Sequence, residues 1–164
     1  MGALIVSTDK GKTATPCRRM PRGHHMTARD TYLLERQVSF IMRRVMQRHI
    51  AIFSSLIPEM TPTQFAALAK LCELGQTSQN ELGRLTSMDV ATIKGVVDRL
   101  RARGRGDAAP LVGDRRRLLL TPTREGRELY DELAGKASEV TRQTLAPLDS
   151  QEQDRLVKLL ERLV

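Results

Sequence analysis

Between Arg84 and Arg127 the chain carries eleven lysines and arginines: Arg84, Lys94, Arg99, Arg101, Arg103, Arg105, Arg115, Arg116, Arg117, Arg124 and Arg127. The same stretch holds five acids (Asp89, Asp98, Asp107, Asp114 and Glu125), so six of the net +8 charges of the chain fall within it. Cations clustered this densely on short elements suit one task above others, displacing counterions from a polyphosphate. No other chemistry is as well supplied. His24 and His25 lie near the N-terminus and His49 stands alone. No Ser-His-Asp set, P-loop or H-E-x-x-H spacing can be assembled, so no catalytic residue and no enzymatic activity are expected. Cys17 with His24 and His25 lacks the spacing of a closed metal site, and neither a metal nor a cofactor is expected. Cys17 and Cys72 do not make a disulfide framework.

A phosphate-binding patch needs rigid elements to present it, and the sequence spells them out. Ser78 and Glu81 form an S-x-x-E capping box, which predicts a helix from Gln79 with Leu82 and Leu85 on its inner face. Asp89 can cap a second helix, from Val90 to Arg103, in which Ile93, Val96 or Val97, and Leu100 recur at three- and four-residue steps. Thr92, Lys94, Gly95 and Arg99 then fall on its outer side. Small and polar residues near a helix N-terminus let the backbone approach base edges, and cations further along meet phosphate. Gly95 costs about 1 kcal/mol relative to Ala inside a helix, which points to close approach by something else. The ordinary alternative is a solvated surface helix; the concentration of charge favours the binding face.

The flanks read as helices with apolar stripes. From Asp30 a helical pattern runs through Leu34, Val38, Ile41, Val45, Ile52 and Leu56, with Met42, Met46 and Phe53 alongside, longer than one small domain can cover. Pro58 ends it, and Thr61-Pro62-Thr63-Gln64 opens the next helix with a T-x-x-Q box and proline at its first position; Phe65, Leu68, Ala69 and Cys72 mark its core face. Beyond the patch, Leu129, Leu133, Ala137 and Val140 define a helix that Pro147 interrupts. Asp149 to Glu152 then cap a last helix carrying Leu156, Leu159, Leu160 and Leu163. Flanking stripes of this kind suit a two-fold dimer.

Composition agrees. The 164 residues include no Trp and 3 % aromatics, which favours an aliphatic, helical core. No apolar run reaches the length of a membrane span, and Leu4-Ile5-Val6 is too short for a signal-peptide core, so a cytoplasmic location is expected. Residues 1–29 are basic, broken by Gly, Pro and Thr, and read as a mobile extension. Two readings of it stand: an arm touching DNA phosphates, or a leader without a role preceding a start at Met26, the second being preferred.

Residues 61–126 resemble the DNA-binding core of the MarR (multiple antibiotic resistance regulator) transcription factors, and the resemblance extends over about residues 30–164. It is carried by Leu68 to Gly75, the Ser78-Gln79-Asn80-Glu81-Leu82 helix start, Thr92 to Leu100 with Gly104 ending the helix, Asp114-Arg115-Arg116, and Thr123-Arg124-Glu125-Gly126. The resemblance implies a mainly α fold with a small β wing: a winged helix-turn-helix over 61–123, and a helical dimerisation region over 30–60 and 124–164. It implies a homodimeric regulator, a repressor, on a pseudo-palindromic operator in double-stranded DNA. Ser78, Gln79 and Asn80 would face the DNA backbone, Ala91, Thr92, Lys94 and Gly95 the bases, and Arg99 a phosphate. Asp114 would brace the wing while Arg115, Arg116 and Arg117 serve the minor groove. It also implies a small phenolic or aromatic carboxylate effector, with Arg44, Arg48, His49, Ile52, Phe53, Phe65 and Cys72 as candidate cleft residues, each of which has an ordinary packing or surface reading. One departure stands out. After Gly104 the chain reads Arg105-Gly106-Asp107-Ala108-Ala109-Pro110, and because Gly and Pro weaken strands, the first wing strand is expected to be short, irregular or absent. The second, around Leu118 to Leu120, is expected to be poorly paired. Two alternatives remain: a helical protein–protein adaptor whose basic face is solubilising, and a redox-sensing regulator using a cysteine.

Overall fold

Local signals start most of the helices. The computed structural model describes residues 32–111 and 114–164, with the side chains of Leu111 and Asp114 to Arg117 outside the description. The chain divides into two units after Gln37. In the first, Leu34–Arg36 makes a single 3-10 turn. The second contains α1 (Val38–Leu56), α2 (Pro62–Leu74), β1 (Thr77–Ser78), α3 (Gln79–Leu85), α4 (Val90–Ala102), β2 (Gly106–Leu111), β3 (Asp114–Pro122), α5 (Arg124–Leu145) and α6 (Ser150–Glu161). The fold is mainly helical with a small three-stranded antiparallel sheet, a winged helix-turn-helix. No described helix is long and apolar enough to cross a membrane.

Capping accounts for the helix starts. Thr61 and Gln64 form the reciprocal box at α2, with Pro62 at its first position. Asp149 and Glu152 do the same at α6. At α3 the box is half made: Ser78 accepts from the Glu81 N–H at 3.2 Å, but the Glu81 carboxylate turns to the Arg84 guanidinium instead. The Arg84 guanidinium offers the carboxylate two ionic hydrogen bonds in place of the one that the Ser78 N–H could give. The first predicted helix also needs correction. The helix begins at Val38, not near Asp30: Gln37 is extended, and its side-chain amide donates to the Leu33 carbonyl at 3.0 Å. Leu34, placed on the predicted stripe, therefore lies outside α1.

The wing differs from expectation too. β2 pairs with β3 from Gly106↔Pro122 to Pro110↔Leu118, with irregularity only at Pro110/Leu111. Strand order β1-β3-β2 explains this, since β2 lies at an edge, where Pro110 withholds no ladder donor from a second neighbour. β3 is the central strand, so Leu119 and Leu120 are paired on both sides, with Ser78 and Thr77 on one and Ala109 and Ala108 on the other, while Leu118 faces Pro110 alone.

The core joins all the layers of this unit. Ile57, Leu68, Leu82, Ile93, Leu120, Leu133 and Val140 are fully buried. Phe53, Ile57 and Met60 complete it from α1 and the turn after it. α1 packs against α5, yet it buries only Phe53 and leaves Val38, Ile41, Met42, Val45, Met46 and Ile50 exposed. α6 buries no residue and exposes Val157, Leu159 and Leu160.

Candidate nucleic-acid interface

The α3–α4 pair is built for close packing. Gly83 faces α4, where an added Cβ would sit 3.2 Å from the Ile93 side chain and from the Met88 carbonyl oxygen. The turn between the helices is tight: the Met88 N–H reaches the Gly83 carbonyl at 2.8 Å, and Ser87 adopts φ 53, a strained value for a residue with a Cβ. Leu82 enters the core as expected, whereas Leu85 is 37 % exposed, because the turn carries it past the core. Gly83 was not singled out from sequence. A glycine one residue from a core leucine in a helix was the available signal.

α4 has the predicted two faces. Asp89 accepts from the Thr92 N–H at 2.8 Å and from the Thr92 hydroxyl at 2.7 Å. These bonds hold its carboxyl below the usual carboxylate range. Ile93, Val96, Val97 and Leu100 are buried, while Ala91, Thr92, Lys94 and Arg99 are exposed and Gly95 is half-exposed. Among the described residues a Cβ on Gly95 would meet only the Arg99 guanidinium, at 3.9 Å, so no neighbour among them needs this glycine. Lys94 is drawn along the helix towards Asp98 at 3.5 Å.

Both ends of α4 are anchored. Gly104, at φ 66, reverses the chain after the helix in a conformation that side chains rarely adopt. The Thr123 hydroxyl donates to the Gly104 carbonyl at 2.7 Å and accepts from the Gly126 N–H at 2.9 Å, so one oxygen ties the end of α4 to the start of α5. Gly126 is forced by this junction, since a Cβ there would lie 2.1 Å from the Arg105 carbonyl oxygen. Arg103 donates to the Glu59 carbonyl, fastening α4 to the α1–α2 turn.

Around α4 stand the remaining cations. Arg99, Arg101 and Arg103 line its C-terminal half and are exposed. Ser78, Asn80 and Arg84, with Thr77, Glu81, Leu118 and Leu119, line an open cleft of about 520 Å³ at the base of the wing; Gln79 is half-exposed beside them. Asp114 to Arg117 begin β3, which places their backbone at the wing tip beside Leu111; their side chains lie outside the described residues. The N-terminal extension, with Cys17, His24 and His25, also lies outside them.

The seven candidate cleft residues separate. Arg44 does not join the others: its guanidinium lies over the Phe40 ring of its own helix, 6.0 Å from the centroid, because an i,i+4 partner is in easy reach. Arg48 and His49 reach the end of α5, where Arg48 donates to the Gln143 carbonyl at 3.1 Å and His49 Nδ1 lies 3.1 Å from Thr144 Oγ1. The Thr144 hydroxyl gives its proton to the Val140 carbonyl at 2.8 Å, so its oxygen accepts from Nδ1–H and Nε2 is left as the acceptor of the neutral ring. A row of rings runs from His49 through Phe53 and Phe65 to Tyr130, with centroids 6.4, 6.0 and 6.2 Å apart. Phe53 is buried within this row and Ile52 packs beside the core. Cys72 is half-buried, and burial pushes its thiol up despite the Arg127 guanidinium nearby. At the end of α5 the Glu139 carboxylate is held down at about 2 by Arg142 and Gln143.

A short helix, a tight turn, an outward-facing second helix and a two-stranded wing, all edged with cations, define a winged helix-turn-helix DNA-binding protein. No protein-family model matches the chain. It is 34 % identical over 135 residues to the HTH-type transcriptional repressor NicR of Pseudomonas putida, covering 81 % of this chain and 85 % of that repressor. Among solved structures it is similar to a probable transcriptional regulator from Pseudomonas aeruginosa, with 47 % identity and a TM-score of 0.78 over 80 % of this chain and 100 % of that one. It is also similar to BpsR of Bordetella bronchiseptica, whose DNA binding is regulated by 6-hydroxynicotinic acid, with 35 % identity and a TM-score of 0.75 over 80 % of this chain and 96 % of that one. The chain belongs to the MarR family of DNA-binding transcriptional regulators.

Proposed function

We propose that the protein is a homodimeric repressor that grips a pseudo-palindromic operator and releases it on binding a small aromatic carboxylate. The observation that carries the DNA half of this reading is the outer face of α4: exposed, open at Gly95, and followed by Arg99, Arg101 and Arg103. In the major groove, Ala91, Thr92, Lys94 and Gly95 would approach bases and Arg99 a phosphate. Ser78, Gln79 and Asn80 would meet the DNA backbone. By resemblance, Asp114 braces the wing and Arg115, Arg116 and Arg117 serve the minor groove. Residues 61–123 form the DNA-reading region in this reading, and 30–60 with 124–164 the dimerisation region. The apolar faces of α1 and α6 support the dimer. The regulation of BpsR by 6-hydroxynicotinic acid supports an aromatic acid effector, and at the meeting of α1 and α5 Arg48 offers a cation for its carboxylate and His49 an acceptor nitrogen for a ring hydroxyl. An effector acts only through its different affinities for the DNA-binding and released arrangements.

Selection from a pool of random duplexes tests the reading. The expected consensus is a two-fold repeat with half-sites centred about one helical turn apart, roughly 34–36 Å. Hydroxynicotinates and hydroxybenzoates are then scored for release of that duplex. Enrichment of no consensus would sink the DNA reading; a consensus that no aromatic acid releases would sink the effector reading alone.

A further inference from the structure

Val90 is the first residue of α4 and is 72 % exposed, more than any other large apolar side chain among the described residues except the C-terminal Val164. Half of the exposed large apolar residues lie on α1 and α6, where the proposed dimer would cover them. Val90 stands apart, on the outer side of the DNA-reading helix beside Ala91 and Lys94. It has no packing duty at the helix start. That place is filled by Met88, which packs against the core just before the cap, and by the buried Ile93. Nor is it needed for capping, since Asp89 supplies both bonds to Thr92.

Resting on the DNA-binding reading above, we infer that Val90 is a specificity-determining residue that packs against the 5-methyl group of a thymine in the major groove. N-terminal residues of a recognition helix lie against base edges, and thymine alone of the four bases offers an apolar group there. An isopropyl group at that place has no hydrogen bond to give, so its discrimination is for a methyl group and against the bare or polar edges of the other bases. The absence of a side chain at Gly95, one turn on from Ala91 at the adjoining edge of the exposed surface, lets the helix sit deep enough for the contact.

Deoxyuridine scanning tests the inference. In the consensus duplex obtained by selection, each thymine is replaced in turn by deoxyuridine, which removes the methyl group and leaves base pairing intact. Binding of the full chain and of Val90→Ala is measured by fluorescence anisotropy, with a thermal melt showing that the variant remains folded. One replacement per half-site should weaken the parent about three- to fivefold, the effect of losing one buried methyl group. Val90→Ala, which alters both protomers, should bind the thymine duplex about nine- to twenty-five-fold more weakly and be indifferent to the same replacement. The inference is overturned if no replacement weakens the parent, or if the sensitive replacement weakens Val90→Ala equally; either result leaves the DNA-binding reading standing. If selection enriches no duplex, that reading falls, and this one with it.

Discussion

Gly126→Ala should lower the stability of the protein by about 3 kcal/mol, the upper end of overpacking costs. The cause is local and steric. The new Cβ would lie 2.1 Å from the Arg105 carbonyl oxygen, a backbone atom that no side-chain rotation can move aside. The start of α5 must then swing away from Arg105, stretching the Thr123 bonds that join α5 to the end of α4. For a chain of this size the melting temperature should fall by roughly 6–12 °C. DNA affinity should fall as well, because the base of the wing and the end of α4 share that junction. Thermal melts of the parent and variant check this, and a variant melting within about 2 °C of the parent would refute the close approach.

Leu160→Glu should convert a dimer into a monomer. Leu160 lies exposed on α6 beside Val157 and Leu159, and no residue of that helix is buried by the described residues, which leaves its apolar face open to the proposed partner protomer. In the proposed dimer, two-fold symmetry would place the substitution in the interface twice, and would strip two carboxylates of water there. In sedimentation the parent should run at twice the 18.4 kDa chain mass at micromolar concentration, and the variant at the chain mass. Operator affinity should drop by roughly 100-fold or more, since two half-sites would no longer be linked. A parent that sediments as a stable monomer would overturn the dimer and the two-fold operator together.

Features governed by sequence-local forces were legible before the structure. Asp89, followed by Ile93, Val96, Val97 and Leu100, predicts α4 because a cap and a 3.6-residue period both act within one helix. The same holds for Thr61 at α2 and Asp149 at α6. What was missed depends on distant or competing partners. Strand β1 has only two residues and no period, and it exists because Leu119 and Leu120 of β3 pair with it. Pro110 argued against a strand only on the assumption of neighbours on both sides, and strand order supplies just one. At Gln37 the apolar period runs straight through, but a side-chain amide captures the Leu33 carbonyl and the helix starts one residue later. Glu81 shows the same competition, with Arg84 winning over the cap. Within the candidate interface, the outer residues of α4 could be named from periodicity. The Thr123–Gly126 junction could be named only as a helix start, because the Arg105 carbonyl that demands Gly126 is about twenty residues away.

The salt dependence of DNA binding tests the central claim most directly. Anisotropy titrations of the selected duplex and of a scrambled duplex, between about 50 and 200 mM salt, should give a linear fall of log affinity with log salt. For six to ten phosphate contacts the loss over that range is about a thousandfold or more, and the selected duplex should bind more tightly throughout. A helical adaptor with a merely solubilising basic face would show neither the slope nor the preference. Affinity that is flat with salt and equal for the two duplexes would contradict the assignment of α4 and the wing as a DNA-reading surface.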